Sequence, residues 1–499
     1  MILAVLFASC LAFLLVLKAS NVVAVTSDAA RTAIAAADAM RAPHLSDDQK
    51  EAHVRRAALG LLRSFARITL IGAVALAVPA AIVWIGSALG LYHLSDAIEL
   101  ATGWPFILGV TVVFVGIWGI TGKTAAKRAP KGPMPGVPYG RTDRMLHRVA
   151  FASPNLQKSL ADLETRRFRD KIDPEFAKDP VFITSLPRAG TTVMLDILAD
   201  LPEFASATYR AMPFTLTPLL WGSLTRGLQR KAEDAERAHG DGLKVGFDSP
   251  EAFEETVWKA FWPTHYRPKG IKTWSEEDRD GDFEAFFRTY MCKIVAAKGG
   301  DAHRYVSKNN ANIARLPLIE RLYPDAKVLV PIRNPFAQTA SLMRQHRRFG
   351  ALHAQDAFAR DYMEGLGHYE FGKALRPIEF PGRTIPVEKA GEPAFWLEYW
   401  ISAYQRVLET AGPRVIFVDH DGLCRDPSRH LPALAEALGV ENRDRLLGAA
   451  SKLRAQPAPP DPEGPRELID HARALHAELI ELSLRPIHES TSTTTSAIR

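Results

Sequence analysis

Hydrophobic positions along the 499-residue chain follow two regimes. Over residues 1–126 they gather into long uncharged runs separated by charged segments, and from about residue 142 they come as short runs alternating with helical periodicity. Residues 68–91, ITLIGAVALAVPAAIVWIGSALGL, are uncharged and exceed the ~20 residues that cross a bilayer core. Residues 104–120, WPFILGVTVVFVGIWGI, are also uncharged, with Trp104 and Trp118 near the two ends, where amphipathic rings favour the interface. Residues 1–17, MILAVLFASCLAFLLVL, lack the positive start and small-residue cleavage pattern of a secretory signal and read as a third span. The pattern therefore predicts a multi-pass helical membrane region over 1–126.

Charge orients it. Eight Lys and Arg lie between Lys18 and Arg67, none lies between Tyr92 and Gly103, and Lys123, Lys127, Arg128 and Lys131 follow the last span. The positive-inside rule puts both basic segments, and everything after residue 121, in the cytoplasm. Proline and glycine crowd KRAPKGPMPGVPYGR, residues 127–141, a predicted linker. The end from Glu489, ESTSTTTSAIR, has too little apolar material to pack and reads as a disordered tail over 489–499. A soluble domain is thus expected over 142–488.

Within it, the pattern predicts strands at 181–185, 327–332 and 414–418 and helices at 191–200, 335–347, 394–411 and 428–438. Short apolar strands alternating with longer helices argue an α/β domain, three layers around a central parallel sheet. Ligands of such sheets collect at the carboxyl ends of strands. Composition narrows the partners. The net charge is +6, but 56 acids oppose 62 Lys and Arg, so a surface built to coat nucleic acid is excluded. The cysteines Cys10, Cys292 and Cys424 are far apart, without paired spacing for a metal or a disulfide framework.

Two strand ends carry candidate chemistry. The turn SLPRAGTT, residues 185–192, follows the first strand and opens a helix. Against the phosphate-loop pattern GxxxxGK[ST], Ser185 stands for the first glycine, Gly190 holds the second, Thr191 replaces the lysine and Thr192 keeps the hydroxyl. The amides of Ala189, Gly190, Thr191 and Thr192 at a helix N-terminus still favour an anion, and Arg188 supplies positive charge from inside the loop. A nucleotide triphosphatase needs that lysine and a magnesium ion. The second strand end, KVLVPIRNPFAQTASLMRQHRRF over 327–349, offers Arg333 and, eight positions on, Ser341. A guanidinium with a hydroxyl suits one compact phosphate, although a strand-end salt bridge explains Arg333 equally well.

The loop resembles the 5′-phosphosulfate loop of sulfotransferases, and Arg333 with Ser341 resembles their 3′-phosphate motif. The runs KNNANIARLPLIERLYPDAKV (308–328) and FVDHDGLCRDPSRHLPALAEALGV (417–440) are similar to segments of the bacterial branch of that family. The resemblance covers about 140–440 and implies a P-loop-type fold with 3′-phosphoadenosine 5′-phosphosulfate (PAPS) as co-substrate and no metal. It implies a sulfuryl group moved to an acceptor hydroxyl or amine at the cytoplasmic face of a bacterial inner membrane. A lipid or amphipathic acceptor is motivated by the anchor alone. The sequence departs from the family at Asp419-His420-Asp421, where Tyr-Glu is usual, and at Thr208-Tyr209-Arg210, where some relatives carry a catalytic glutamate. A P-loop kinase or nucleotide hydrolase, and a non-enzymatic membrane scaffold, stay open as alternatives.

Sulfuryl transfer needs a proton acceptor. In DSPEAFEETVWKAFWPTHY (248–266), Ser249 and Pro250 are expected to start a helix and Glu255 to pair with Lys259 on its surface. Glu254 has Trp258, Phe261 and Trp262 at helical spacing, and an acid on an aromatic face becomes a better base through desolvation. Glu254 is therefore the first candidate base and His265 the second, with Arg188 opposite the leaving phosphate. Lys308 is a further candidate donor contact, and His353, Tyr362 and His368 lie in a segment, 350–372, that reads as a lid.

Overall fold

The computed structural model describes residues 2–20, 47–103, 154–225, 249–455 and 464–485, with a few positions between them. The chain divides into two compact units, Met1–Lys131 and Gly132–Arg499. Apart from Phe106, the predicted span 104–120 lies outside the described residues, as do the predicted linker 127–141 and the tail from 489.

In the first unit, helix α1 (Ile2–Ala19) packs against helix α2 (Asp47–Ala88). Within α2 the stretch Gly60–Ala88 is long and apolar enough to cross a membrane, and among the described residues it is the one such segment. Leu62, Phe65, Leu70, Leu76 and Trp84 along it are exposed.

The second unit is built on five parallel strands. They are β1 (Val181–Ile183), β2 (Phe204–Ala205), β3 (Arg304–Lys308), β4 (Lys327–Ile332) and β5 (Val415–Asp419), in the order β2-β3-β1-β4-β5. Strand β1 is central, pairing Phe182 with Ser307 on one side and with Val328 on the other. Alternate residues face opposite layers. Phe182, Tyr305, Val328 and Val330 join one core cluster, whereas Val181, Ile183, Val306 and Leu329 join another. The first is closed by helices that include α8 (Gly281–Lys298) and α12 (Pro393–Thr410), the second by α5 (Thr191–Ala199) and α14 (Pro427–Leu438). Strands buried on both faces read as continuous apolar runs, which is why VFI and VLVPI stood out in the sequence. The three-layer parallel sheet is the architecture that the alternation predicted.

Local boundaries differ where pairing partners are distant. The strand expected at 181–185 stops at Ile183, and the helix expected at 335–347 continues as α10, Pro335–Gln355. The segment expected as a lid is mostly helical, α10 being followed by α11, Ala357–Leu366. The helix expected from Ser249 begins at Glu255, as α7 (Glu255–Phe261). Pro250 instead bridges Thr208, and Glu251 N donates to Ala207 O at 3.0 Å, so this backbone is paired before it can coil.

Nor is Glu255 a surface partner of Lys259. It is buried and receives both ends of the Arg315 guanidinium at 3.0 and 3.1 Å, together with Asn309 Nδ2 at 2.7 Å and Tyr266 OH at 2.6 Å. The guanidinium lies 4.1 Å from the Trp258 ring and 4.2 Å from that of Trp274. Lys259 donates instead to the carbonyls of Glu364 and Gly365 at the end of α11. Removing one partner of a buried ion pair leaves the other uncompensated. Arg315→Met should therefore lower the stability to chemical denaturation by ~3–5 kcal/mol, and a change within ~1 kcal/mol would show that the pair does not hold this layer together.

Candidate functional site

Past Ile183 the chain leaves the sheet and is held at every step. Ser185 Oγ donates to Pro331 O at 2.9 Å and lies 2.5 Å from the Tyr404 hydroxyl. Gln338 Nε2 binds the carbonyls of Leu186 and Pro187, both at 3.0 Å, while Trp400 Nε1 fixes the Gln338 amide at 3.0 Å. So supported, Arg188 adopts φ +72° and Gly190 φ +91°, a left-handed backbone that a bulky residue adopts only when its surroundings over-determine it. Ala189 is fully buried, and α5 starts at Thr191, so the amides of 189–192 gather at a helix N-terminus. Gly190 is required twice: a Cβ there would be strained by φ and would overlap the His420 ring.

The second strand end lies alongside. Because β1 and β4 are adjacent and parallel, Arg333 emerges next to the loop and its Nη1 donates to Arg188 O at 2.8 Å. Asn334 caps α10 by accepting from Phe336 N and Ala337 N at 3.0 and 3.2 Å, and its own amide donates to Asp421 Oδ2 at 2.7 Å. That cap orients α10 so that Ser341 meets Arg188, whose Nε donates to Ser341 Oγ at 3.2 Å. The two predicted anion sites are thus one continuous cationic patch. Burial pulls the Arg333 pKa below the usual arginine value, with Arg188 and Arg344 adding to the effect and Asp421 opposing it. The buried Arg333 Nε has no hydrogen-bond partner within the protein. Clustered guanidinium groups with an unanswered donor are the arrangement that an anion completes.

On the other flank of β1, Thr191 Oγ1 donates to Asn310 Oδ1 at 3.3 Å, and Asn310 Nδ2 donates to Glu370 Oε1 at 3.2 Å. His368 Nδ1 stands 3.7 Å from the same Glu370 oxygen. Burial works to raise the Glu370 pKa, but His368, Lys308 and the local backbone prevail and hold it down at about 2. Lys308, at the end of β3, is itself buried. His368, Glu370 and Asn310 line a partly open cavity whose other walls include Leu186, Pro187 and Trp396.

Glu254 and His265 do not line that cavity. Glu254 is buried and its two oxygens accept from Trp258 Nε1 (3.1 Å), Tyr305 OH (3.1 Å), Asn309 Nδ2 (3.4 Å), Asn312 Nδ2 (2.8 Å) and Ser307 Oγ. With five protein donors on its two oxygens, Glu254 is committed to partners within the protein and faces no ligand-sized space. His265 stacks on Trp274 at 4.3 Å and is buried, with neither ring nitrogen hydrogen-bonded. His353 accepts from Lys373 N at 3.2 Å, and Tyr362 packs edge-on against His147. The side chains that sequence reasoning passed over are Asn310, Gln338 and Glu370. Asn310 stood inside a run already similar to the family, but nothing local marks a glutamate two residues from a histidine.

Residues 180–372 match the model of the sulfotransferase family. The match begins one residue before β1 and ends two after Glu370, and so contains the loop, Arg333, Ser341 and the cavity pair. Among curated proteins none matches the chain. Similar solved structures include the sulfotransferase STF9 of Mycobacterium avium, at 15% identity over 72% of this chain and 89% of that one, TM-score 0.38. They also include the sulfotransferase STF1 of Mycobacterium tuberculosis H37Rv, at 13% identity over 62% and 80%, TM-score 0.35. A sulfotransferase of Alicyclobacillus acidocaldarius is 15% identical over 61% of this chain and 93% of its own, TM-score 0.30.

Two outcomes test the sulfotransferase-matched region as described. Gly190→Ala should lower the unfolding temperature through a backbone penalty of ~1–2 kcal/mol plus the overlap with His420. Adding His420→Ala should recover the overlap and leave the backbone part, whereas a Gly190→Ala chain as stable as the parent removes the basis for both. Burial holds the His265 pKa down at about 4, against 6.5 ordinarily. The unfolded chain therefore binds the proton first, and stability falls as pH drops from 6.5 towards 4. His265→Phe keeps the stack, removes two unanswered nitrogens and should flatten that decline. An unchanged pH–stability curve in the variant would count against it.

Proposed function

We propose that the second unit is a PAPS-dependent sulfotransferase domain, moving a sulfuryl group to an acceptor hydroxyl or amine. One observation carries the reading: Arg188 donates to Ser341 at 3.2 Å while Arg333 donates to the Arg188 carbonyl at 2.8 Å. Phosphate sites that touch in this way suit a single ligand with phosphates on two positions of one nucleoside, as in 3′-phosphoadenosine 5′-phosphosulfate. In this reading the amides of Ala189, Gly190, Thr191 and Thr192 hold the phosphosulfate end, and Arg333 with Ser341 holds the 3′-phosphate. Arg188, between them, offsets charge on the leaving phosphate. The acceptor oxygen attacks sulfur, the bond from sulfur to the bridging phosphate oxygen breaks, and its electron pair leaves on adenosine 3′,5′-bisphosphate. The acceptor's proton passes to a protein base, a role for which the surroundings of Glu254 and His265 give no support.

We place this domain at the cytoplasmic face of a membrane. The reading rests on the apolar stretch Gly60–Ala88, on the basic residues at its amino-terminal end, Arg63 and Arg67 among them, and on a second span over the uncharged run 104–120, which returns the chain to the side of those residues. The number of spans beyond this helix is part of the proposal.

Calorimetry on the full chain in detergent tests the donor. Adenosine 3′,5′-bisphosphate should bind without added metal and ADP should not. Hydrogen bonds to charged groups contribute ~1.5–3 kcal/mol, so Arg333→Ala should weaken that binding by about 10–100-fold. Tight magnesium-dependent binding of ADP, with none of the bisphosphate, would move the assignment to a kinase or nucleotide hydrolase.

A further inference from the structure

The cavity beside the loop belongs to no donor contact, and its chemistry is of two kinds. Most of its wall is apolar or aromatic, including Leu342, Leu375, Ile378, Trp396 and Tyr399. Its polar side includes Glu255, Asn309 and Arg376 together with the Asn310, His368 and Glu370 group already tied to Thr191 of the loop. Thr208-Tyr209-Arg210, where a base was first sought, offers none. The chain's own proton acceptor must come from elsewhere, and this is the titratable group that reaches both the loop and a cavity.

Taking the sulfotransferase reading as its basis, we propose that this cavity receives an acceptor with a compact apolar body bearing a hydroxyl, and that His368, oriented by Glu370, takes the hydroxyl proton. Small-molecule pockets are mostly apolar with a few polar groups fixing orientation, and walls that include Leu342, Ile378, Trp396 and Tyr399 beside His368 suit a compact ring bearing one hydroxyl. Glu370 is the positioning residue. As an anion facing Nδ1 it favours the proton there and leaves Nε2 to act as base. Asn310 holds Glu370 with its amide nitrogen and Thr191 with its amide oxygen, so the base and the sulfuryl-holding loop are fixed relative to each other through one side chain. The step balances: the acceptor oxygen bonds to sulfur, the bridging oxygen departs with the electron pair, and the proton moves to His368 Nε2. The other charged groups around the pair are Lys308 from β3, Glu255 from α7, and Arg376, which lies against the Tyr369 ring at 4.4 Å.

The full chain supplied with PAPS and either 2-naphthol or glucosamine gives the test, with adenosine 3′,5′-bisphosphate binding measured in parallel. The expectation is turnover of 2-naphthol with kcat/KM at least ~10-fold above glucosamine, rising with pH as a single base is freed. His368→Gln should lower kcat by ~100-fold or more, abolish that rise, and leave KM and bisphosphate affinity within about 3-fold. Glu370→Gln should lower kcat while leaving KM and bisphosphate affinity within about 3-fold, because the imidazole loses the group that orients it. A variant that no longer binds the bisphosphate is replaced by His368→Asn or Glu370→Asn. Should the parent bind bisphosphate yet prefer glucosamine or leave 2-naphthol untouched, the acceptor class is wrong. A His368→Gln chain with kcat and pH profile intact, or a Glu370→Gln chain with kcat unchanged, overturns the pair. Absence of bisphosphate binding by the parent would instead remove the donor reading itself.

Discussion

Two carboxylates side by side in a dry layer set the terms for everything around them. Glu254 and Glu255 are both buried where α7 begins, and taking an ion out of water carries a penalty of several kcal/mol unless partners answer it. Nearly all the answering groups come from one stretch of chain. Tyr305, Ser307, Asn309 and Asn312 serve Glu254, and Asn309 with Arg315 serves Glu255. The end of β3 and the turn after it are therefore nailed to α7 at five positions. Asn310 sits in the middle of that stretch and points the other way, towards Thr191 and Glu370. Its amide can serve two partners in fixed directions because its backbone has no freedom left.

The phosphate-type loop is held from beneath by an equally non-local set. Trp400 and Tyr404 on α12 act on it, one through Gln338 and the other through Ser185, and Arg333 grips the carbonyl of Arg188 from β4. A positive φ at Arg188 costs of order 1–3 kcal/mol, and these contacts are what sustain it. The result is a loop whose amides are aimed before any ligand arrives, which is the condition under which fixed dipoles stabilise developing charge most effectively.

This division between near and far explains how much the sequence revealed. Strands β1 and β4 were legible because they are buried on both sides, β5 because it is an apolar run between turns, and the loop because its glycine and hydroxyl pattern is local. Strand β2, two residues long, has no periodicity to detect. The start of α7 was misplaced because Pro250 and Glu251 pair with residues some forty positions upstream. Glu255 looked like half of a surface pair because Arg315, its partner, is remote in sequence and reaches it only once β3 is laid into the sheet. Glu254 looked reactive for a related reason: aromatic spacing reports desolvation, but it is silent about five donors arriving from elsewhere. His368 and Glu370 could be named as polar residues of one segment and nothing more.

The residue in the lysine place connects these strands of evidence. In a nucleotide triphosphatase that position brings positive charge to the far end of a chain of phosphates. Here Thr191 turns away and spends its hydroxyl on Asn310, which converts a charge-delivering position into a tie between the loop and β3. Positive charge arrives instead from the side: Arg188 enters from within the loop and Arg333 from the neighbouring strand, with Arg344 close enough to perturb Arg333. Charge so distributed lies along the edge between β1 and β4 and is not concentrated at one terminus. It answers two separated anions better than three in a row, and it leaves the β3 side of the loop, where a lysine would have stood, to a cavity with its own histidine and carboxylate.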